Sequence, residues 1–319
     1  MKLKKILLIN LLVFFILFGI LEFISYLYLR ADAKTYMDDF NKAAKAEKRP
    51  AMTQKYGIIK IADQKDYDEW RNVNIGDKNK PSVLFFGCSY MYGSSLPEEE
   101  TLPYIVYQKT GRTTVNRAIP GGCIMNMFHD LKDNSFVEKV KKELPQPDYI
   151  VYLWINDHLN RICNIYRGSV RSEDNPYYFI NTKWVEENGE LKEIYPSKWT
   201  LPFYGLYCVK AYHFFYAQKF AFEKKEEKML RYFLMAKNSC KENFPNAKFV
   251  VIEYKDGGHC LMTDTLKQSL EKEGITVLNA ENLAGHELDS DEWRASDKEH
   301  PSGKAFNDVA NGLIRALNL

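Results

Sequence analysis

From residue 82 to the C-terminus, short apolar runs alternate with amphipathic stretches of helical length, and this alternation restricts the fold more than any other feature. Such a pattern is typical of βαβ units, whose strands run parallel. The predicted strands are residues 83–86, 114–118, 149–154, 248–253 and 276–278. The predicted helices are residues 102–109, 125–144, 266–272 and 304–317. We therefore predict an α/β fold, a three-layer α/β/α sandwich around a five-stranded, parallel, flavodoxin-like sheet.

An apolar stretch near the N-terminus is long enough to cross a membrane. Residues 6–29 are interrupted by only three polar side chains, those of Asn10, Glu22 and Ser25. A helix of this length would extend about 36 Å, whereas the hydrocarbon core of a bilayer is about 30 Å thick. The sequence therefore predicts a transmembrane helix that anchors the chain.

The charge beside this stretch predicts its orientation. Three of the first five residues are lysines, and basic flanks stay on the cytoplasmic side. We predict that residues 1–5 are cytoplasmic, that residues 6–29 are the anchor, and that everything after them is periplasmic or extracellular. A cleavable signal peptide is the alternative, because residues 31–33 (Ala-Asp-Ala) resemble a processing site, but the apolar stretch is longer than such a peptide requires.

Two other segments lie outside the strand and helix pattern. Residues 30–80 are polar and charge-rich, and we predict a stalk or N-terminal cover there, followed by the α/β domain at residues 81–319. An insertion is predicted from residue 158 to about residue 245, because this segment is much too long for a simple crossover. Within it, the Asn-Gly pair at 188–189 predicts a β-hairpin, and the aromatic stretch 203–222 predicts a helix. These aromatic residues either pack on the sheet or form a lid or substrate platform.

Composition argues against several classes of function. Lys and Arg total 44 and Asp and Glu total 42, so the net charge of +2 provides no basic face for nucleic acid. The six cysteines show neither a Cys-x-x-C pair nor a Cys/His spacing, so no metal site is predicted and the disulfide pairing stays open. The glycine-rich patterns of phosphate-binding loops are also missing.

Polar or small residues stand at the ends of the predicted strands, where open α/β sheets bind ligands. These residues are Ser89, Gly121 and Asn156 after the first three strands, and Asp297 and His300 before the last helix. A serine hydroxyl becomes a good nucleophile when a histidine takes its proton, and a carboxylate three residues away can orient that histidine. The order of these residues along the chain predicts a catalytic triad of Ser89, His300 and Asp297. Each residue taken alone also fits a turn or a helix cap.

The same edge offers donors for the oxyanion that acyl transfer creates. We predict an oxyanion hole made of the backbone N–H groups of Ser89 and Gly121 and the side-chain amide of Asn156. Asp157 and Arg161 follow directly, so they are candidate substrate-binding residues, with a solvated loop as the alternative. This chemistry needs neither a metal nor a diffusible cofactor.

Four short sequence blocks carry the residues named above: one holds Ser89, the next Gly121, the third Asn156, and the last Asp297 and His300. In this order, they resemble the SGNH (GDSL-like) hydrolase superfamily over about residues 82–317, without the insertion. The resemblance implies a serine esterase whose functional residues are the nucleophile Ser89, the block glycine Gly121, the block asparagine Asn156, and the Asp-x-x-His pair Asp297 and His300. Two departures stand out. Cys88 replaces the aspartate of Gly-Asp-Ser, and the glycine before Asn156 is lost.

Neither departure removes a catalytic group. The Gly-Cys-Ser version and the inserted hairpin resemble exported, membrane-anchored bacterial members that act on acyl groups of polysaccharides. The resemblance implies an extracytoplasmic esterase that hydrolyses acyl, above all acetyl, esters on carbohydrate through an acyl-Ser89 intermediate.

Two other functions stay open. A polysaccharide O-acyltransferase would share every residue of the site, and it could take acyl groups from a membrane partner. A non-catalytic carbohydrate-binding or assembly protein would keep the fold and groove, but it would have no need for Ser89, Asp297 and His300 together.

Overall fold

The computed structural model describes residues 9–27, 72–162, 183–187, 190–194, 225–255 and 261–319, with the single residues 6, 206 and 208. The chain divides into two compact units. One unit comprises Met1–Ala62 and Cys163–Glu223, and the other comprises Asp63–Ile162 and Lys224–Leu319. All of the predicted site residues belong to the second unit.

The strands of the described residues form one large sheet and one hairpin. They are β1 (Asn72–Asn74), β2 (Ser82–Phe86), β3 (Thr114–Asn116), β4 (Pro147–Trp154), β5 (Lys183–Glu187), β6 (Glu190–Ile194), β7 (Lys248–Glu253) and β8 (Thr276–Asn279). The sheet has the order β1-β3-β2-β4-β7-β8, and all neighbours are parallel except β1 and β3. The predicted five parallel strands are therefore confirmed, in a flavodoxin-like order.

Within the described residues, the first unit contains the helix α1 (Ile9–Leu27). In the second unit, helices connect the strands of the large sheet and cover it. They are α2 (Ser89–Tyr92), α3 (Leu102–Thr110), α4 (Ile124–Lys132), α5 (Asn134–Glu143), α6 (His158–Ile162), α7 (Lys225–Asn243), α8 (Asp264–Lys272), α9 (Ala280–Ala284) and α10 (Gly303–Leu317). In the described part of this unit, 3-10 helices lie at Glu98–Glu100 and Asp291–Trp293.

The two faces of the sheet have separate cores because successive strand residues point to opposite sides. One face carries Val83, Phe85 and Val151, which cluster with buried residues of α3, α9 and α10. On the other face the Phe86 ring meets Phe136 of α5 at 6.1 Å between centroids. Burial on both faces explains why the central strands read as continuous apolar runs.

The edge strand β1 is an addition to the predicted sheet. Val73 is paired with Val115 of β3, and Asn74 Nδ2 donates a hydrogen bond of 3.1 Å to Thr114 Oγ1. Three residues with two asparagines give no strand pattern, so the sequence did not reveal this strand. The end of the predicted 30–80 segment thus joins the sheet.

The predicted helix at 125–144 is two helices, α4 and α5. The break lies at Asp133, whose carboxylate accepts a hydrogen bond of 2.8 Å from the Ser135 N–H. That bond caps α5, as aspartate commonly does at a helix N-terminus. The hydrogen bond from the Ser135 hydroxyl, at 2.8 Å, and the capping bond from its N–H together lower the pKa of Asp133. The capping aspartate therefore separates two helices where the apolar pattern continued.

The insertion contains the predicted hairpin, because β5 and β6 pair antiparallel. The Asn-Gly pair at 188–189 lies outside the described residues, as does the stretch 203–222 apart from positions 206 and 208. Helix α7, near the predicted end of the insertion, packs on the sheet instead: its Phe233 ring lies 5.7 Å from that of Tyr152. The α/β domain thus resumes before residue 245.

Helix α1, within the predicted anchor, is long and apolar enough to cross a membrane. Most of its large apolar side chains are exposed in this unit. This is what a lipid-facing surface requires.

Candidate active site

Ser89 lies where the first parallel strand passes into a short helix. Strand β2 ends at Phe86, Cys88 is the N-cap, and Ser89 is the first residue of α2. Ser89 is half-buried, whereas Cys88 is completely buried in the core. The residue that replaces the family's aspartate therefore faces apolar neighbours, and Ser89 keeps an accessible position.

Asp297 and His300 occupy a tight loop before α10. His300 Nδ1 lies 2.7 Å from Asp297 Oδ2, and Asp297 Oδ1 accepts hydrogen bonds of 2.9 Å from the backbone N–H groups of Glu299 and His300. Backbone bonds from Ala295 N to His300 O (2.7 Å) and from Ser302 N to Trp293 O (2.9 Å) close the loop. The carboxylate thus fixes the imidazole, as the spacing predicted.

The charge of this pair is set by its surroundings. Burial raises the pKa of Asp297, but hydrogen bonds from His300 and Ser95 and the positive charge of His300 outweigh that effect. The pKa of Asp297 therefore lies well below its ordinary value. An ionised carboxylate beside Nδ1 stabilises the imidazolium that forms when His300 accepts a proton.

Two side chains that the sequence analysis did not single out hold the His300 loop, and one of them, Tyr90, joins it to the helix of Ser89. Tyr90, next to Ser89, donates a hydrogen bond of 2.8 Å from its hydroxyl to Glu299 O, and its ring lies 5.2 Å from that of His300. Arg294 is buried and donates to the same carbonyl at 3.2 Å and to Asp289 at 3.0 Å. Sequence patterns gave no signal for the Tyr90 contact, because it joins positions 209 residues apart. The two Arg294 contacts each span only five residues, but no motif indicates them.

The second contact of a triad, between the serine and the histidine, is not formed in the described part of the chain. Ser89 and His300 are both half-buried, but no hydrogen bond joins their side chains there. Catalytic hydrogen bonds are often long before substrate binds, so the missing bond does not exclude the role. The structure therefore brings Asp297 and His300 together and ties their loop to the helix of Ser89.

The predicted oxyanion donors follow three neighbouring strands. Strand β2 lies between β3 and β4 in the sheet, so the turn with Ser89 is flanked by those with Gly121 and Asn156. Gly121 has a φ of 77°, in the left-handed region that favours glycine, and it is exposed. Within the described residues, the backbone N–H groups of Ser89 and Gly121 and the side-chain amide of Asn156 have no hydrogen-bond acceptor. Three donors are therefore free at one edge of the sheet.

Arg161, predicted as a substrate-binding residue, bonds to the loop that carries Gly121 of the predicted oxyanion hole. Its Nη1 donates a hydrogen bond of 2.7 Å to the Gly122 carbonyl, and its guanidinium pairs with Asp157 at 2.9 Å. The Arg161 side chain is 10% exposed and that of Asp157 is 31% exposed. These contacts support a role in positioning the loop, and direct contact with substrate remains a prediction.

Other reactive groups near the site are held inactive by burial. Burial raises the pKa of the Cys123 thiol to about 11, which disfavours a thiolate nucleophile. His158 is buried, its Nδ1 lies 2.7 Å from the Tyr152 hydroxyl, and burial holds its pKa well below the ordinary value. Within the described residues no group of three or more His, Cys, Asp or Glu could hold a metal ion.

No protein-family model and no curated protein matches the sequence. Among solved structures, the chain is similar to a member of the lipolytic G-D-S-L family from Veillonella parvula, with 8% identity, a TM-score of 0.40, and coverage of 75% of this chain and 99% of that one. It is also similar to a catalytic mutant of Axe2, an acetylxylan esterase from Geobacillus stearothermophilus, with 14% identity, a TM-score of 0.38, and coverage of 75% and 94%.

A third similar structure is Est2A, an acetyl xylan esterase from the rumen bacterium Butyrivibrio proteoclasticus, with 13% identity, a TM-score of 0.40, and coverage of 75% of this chain and 63% of that one. In its four sequence blocks the chain resembles the SGNH (GDSL-like) hydrolases, and G-D-S-L family proteins are among these structures.

Proposed function

We propose that this protein is a serine esterase that hydrolyses acyl esters through an acyl-Ser89 intermediate. One observation supports this most: the Asp297–His300 pair, at 2.7 Å, lies on a loop that Tyr90 bonds to the helix of Ser89. A half-buried serine on a helix that is bonded to the loop of an oriented imidazole fits the arrangement that nucleophilic catalysis requires. A structural role for the three residues would not need this combination.

The reaction follows from these positions. His300 Nε2 takes the proton of Ser89 Oγ as the oxygen attacks the ester carbonyl, and Asp297 stabilises the imidazolium. The tetrahedral intermediate expels the alcohol, which takes the proton from His300 and leaves an acyl-serine. A water then loses a proton to His300, attacks the acyl group and releases the acid, and the proton returns to Ser89.

The oxyanion of both tetrahedral intermediates needs donors that are not already engaged. The N–H groups of Ser89 and Gly121 and the amide of Asn156 meet this need, because within the described residues they bond to nothing else. Preorganised donors of this kind stabilise developing charge without reorganisation. Their freedom supports the esterase proposal independently of the Asp297–His300 pair.

The location and the substrate class are part of the proposal. Helix α1 and the lysines before it support a single-pass anchor with the catalytic domain outside the cytoplasm. There the accessible esters include acyl groups on envelope or exported polysaccharides. The resemblance of the Gly-Cys-Ser block to membrane-anchored members supports acetyl esters of carbohydrate as substrates.

The test uses the full chain in detergent. We expect a fluorophosphonate probe to label Ser89, located by mass spectrometry, and p-nitrophenyl acetate to be hydrolysed. Ser89→Ala should abolish labelling, and His300→Ala should lower turnover at least about 1000-fold. Ser269→Ala, at a half-buried serine whose hydroxyl bonds only within α8, and His129→Ala, at an exposed histidine, are the matched controls.

The outcomes separate the three candidate functions. Labelling with hydrolysis supports the esterase, and transfer of acetyl to added oligosaccharides in preference to water would show an O-acyltransferase. A folded protein that neither labels nor turns over, and whose oligosaccharide affinity is unchanged by Ser89→Ala, would contradict both enzyme proposals and leave a binding protein.

A further inference from the structure

Ser95 has a backbone conformation that is unusual for a residue with a Cβ. Its φ is 68°, in the left-handed region, and the only other non-glycine residues with positive φ in the described part of the chain are Lys298 and Asn318. Asn318 ends α10, where this conformation is common. Ser95 and Lys298 instead lie in the nucleophile and His300 loops. Strained backbone of this kind persists where the surroundings impose it, often at functional sites.

The hydroxyl of Ser95 contacts the carboxylate that orients His300. Ser95 Oγ donates a hydrogen bond to Asp297 Oδ2, the same oxygen that faces His300 Nδ1. The other oxygen, Oδ1, accepts the two backbone N–H groups of the loop. The Asp297 side chain is only 7% exposed, so water has little access to compete for these positions. Both oxygens of Asp297 are therefore held in fixed directions.

This contact crosses between two parts of the site that are 202 residues apart in the sequence. Ser95 follows α2 by three residues, and Gly93 ends that helix in the left-handed conformation, so the chain turns back from Ser89 toward Asp297. Without the hydroxyl, Oδ2 would keep His300 as a partner, but rotation of the carboxylate would be less restricted. A positioned carboxylate keeps the imidazole in the tautomer that accepts a proton at Nε2.

We propose that Ser95 is a positioning residue of this site, a fourth member that orients His300 through Asp297. The inference rests on the proposed esterase function. Because Ser95 acts on the base, its loss should lower the rate of acylation of Ser89 and leave substrate binding nearly unchanged. Outer partners of this kind typically contribute about 10- to 100-fold to activity.

Three variants separate the hydroxyl from the backbone strain. Ser95→Ala removes the hydroxyl and keeps the Cβ. Ser95→Gly removes the hydroxyl and also relieves the positive φ, so it tests the hydroxyl even if Ser95→Ala folds poorly. Ser95→Asn restores a donor in a residue that tolerates this conformation. Ser94→Ala, at the adjacent serine, whose side chain has no hydrogen bond within the described residues, is the matched control.

In the full chain in detergent, we expect Ser95→Ala and Ser95→Gly to lower kcat and the rate of fluorophosphonate labelling of Ser89 about 10-fold, with KM changed less than about twofold. Ser95→Asn should recover most of that rate, and Ser94→Ala should match the wild type. In proton NMR, the downfield signal of the Asp297–His300 hydrogen bond should shift in Ser95→Ala and return in Ser95→Asn.

The result that would overturn the inference is a Ser95→Gly protein with wild-type labelling, wild-type kcat and an unchanged downfield signal. A rate loss in Ser95→Gly that Ser95→Asn does not restore would also contradict it, since that pattern indicates general damage to the loop. If the wild type itself neither labels nor turns over, the esterase proposal fails. The NMR signal then still decides whether Ser95 orients the Asp297–His300 pair.

Discussion

Asn156 combines a half-buried position with a side-chain amide that has no partner in the described residues. A polar side chain that stabilises a fold is normally hydrogen-bonded, and one that serves a transition state is free until the reaction occurs. The same contrast distinguishes Asp297, whose two oxygens both accept hydrogen bonds, from the donors of the proposed oxyanion hole. The site thus contains groups held by the fold and groups kept free by it.

Asn156→Ala should separate these two kinds of residue. We expect kcat for p-nitrophenyl acetate to fall about 100- to 1000-fold, because one oxyanion donor is lost. The thermal unfolding midpoint should stay within a few degrees of the wild type, because no hydrogen bond of the described fold is removed. A large loss of stability with little loss of kcat would show that the amide is structural.

Asp297→Asn tests the low pKa of the carboxylate through stability. The folded state holds the pKa of Asp297 below its ordinary value of 3.8, so its ionised form contributes stability above that pH. At neutral pH, we expect the thermal unfolding midpoint of the wild type to be higher than that of Asp297→Asn. The difference should shrink as the pH falls below about 4, as protons bind the unfolded state first.

Asp291→Asn is the matched control for this series, because that carboxylate is 82% exposed. Its unfolding midpoint should follow the wild type at every pH. A difference between wild type and Asp297→Asn that is constant from pH 7 to pH 3 would contradict the role given to the carboxylate.

At the scale of elements, helix α6 and the turn after β3 are joined by one side chain. Arg161 on α6 bonds to the carbonyl of Gly122, and a Cβ at Gly122 would lie 2.7 Å from the Ile119 carbonyl oxygen. The turn after β3 is therefore compact, and it is held by a side chain from the segment that follows β4. Position 161 was predicted from its place in the sequence. Its bond to the Gly122 carbonyl depends on how the segments after β3 and β4 pack against each other.

Arg161→Ala should release the turn that presents the Gly121 N–H. We expect kcat to fall about 10-fold or more, with a smaller change in KM, because the donor serves the transition state. Arg161→Lys should recover part of the rate, since a single ammonium can reach one acceptor but cannot reproduce the fork of a guanidinium. Arg315→Ala, at an exposed position of α10, is the control. An increase in KM with unchanged kcat would instead support direct substrate binding.

At the scale of the whole molecule, the proposed anchor sets where the reaction occurs. We expect the full chain to remain with membranes after carbonate extraction and to be released by detergent, because a spanning apolar helix is held by burial in lipid. Added protease should digest the domain after residue 30 in spheroplasts without lysis. Protection of that domain until lysis would contradict the predicted orientation, and a mature protein that lacks residues 1–33 would show a cleaved signal peptide.

The sequence by itself determined the parallel strands, most of their helices and the order of the four blocks. It could do so because the burial of each strand leaves a local pattern, and because Ser89, Gly121 and Asn156 follow strand ends while Asp297 and His300 precede the last helix. The pairing of Asp297 with His300 was also predictable, because the two residues are only three positions apart on the same loop.

Only the tertiary structure decided which distant groups meet. The bond from Ser95 to Asp297, the bond from Tyr90 to Glu299 and the pairing of β1 with β3 each join positions far apart in the chain. Their geometry depends on how the crossovers return each loop to the same edge of the sheet. Local apolar periodicity records which face of an element is buried, and it carries no record of which loops become neighbours.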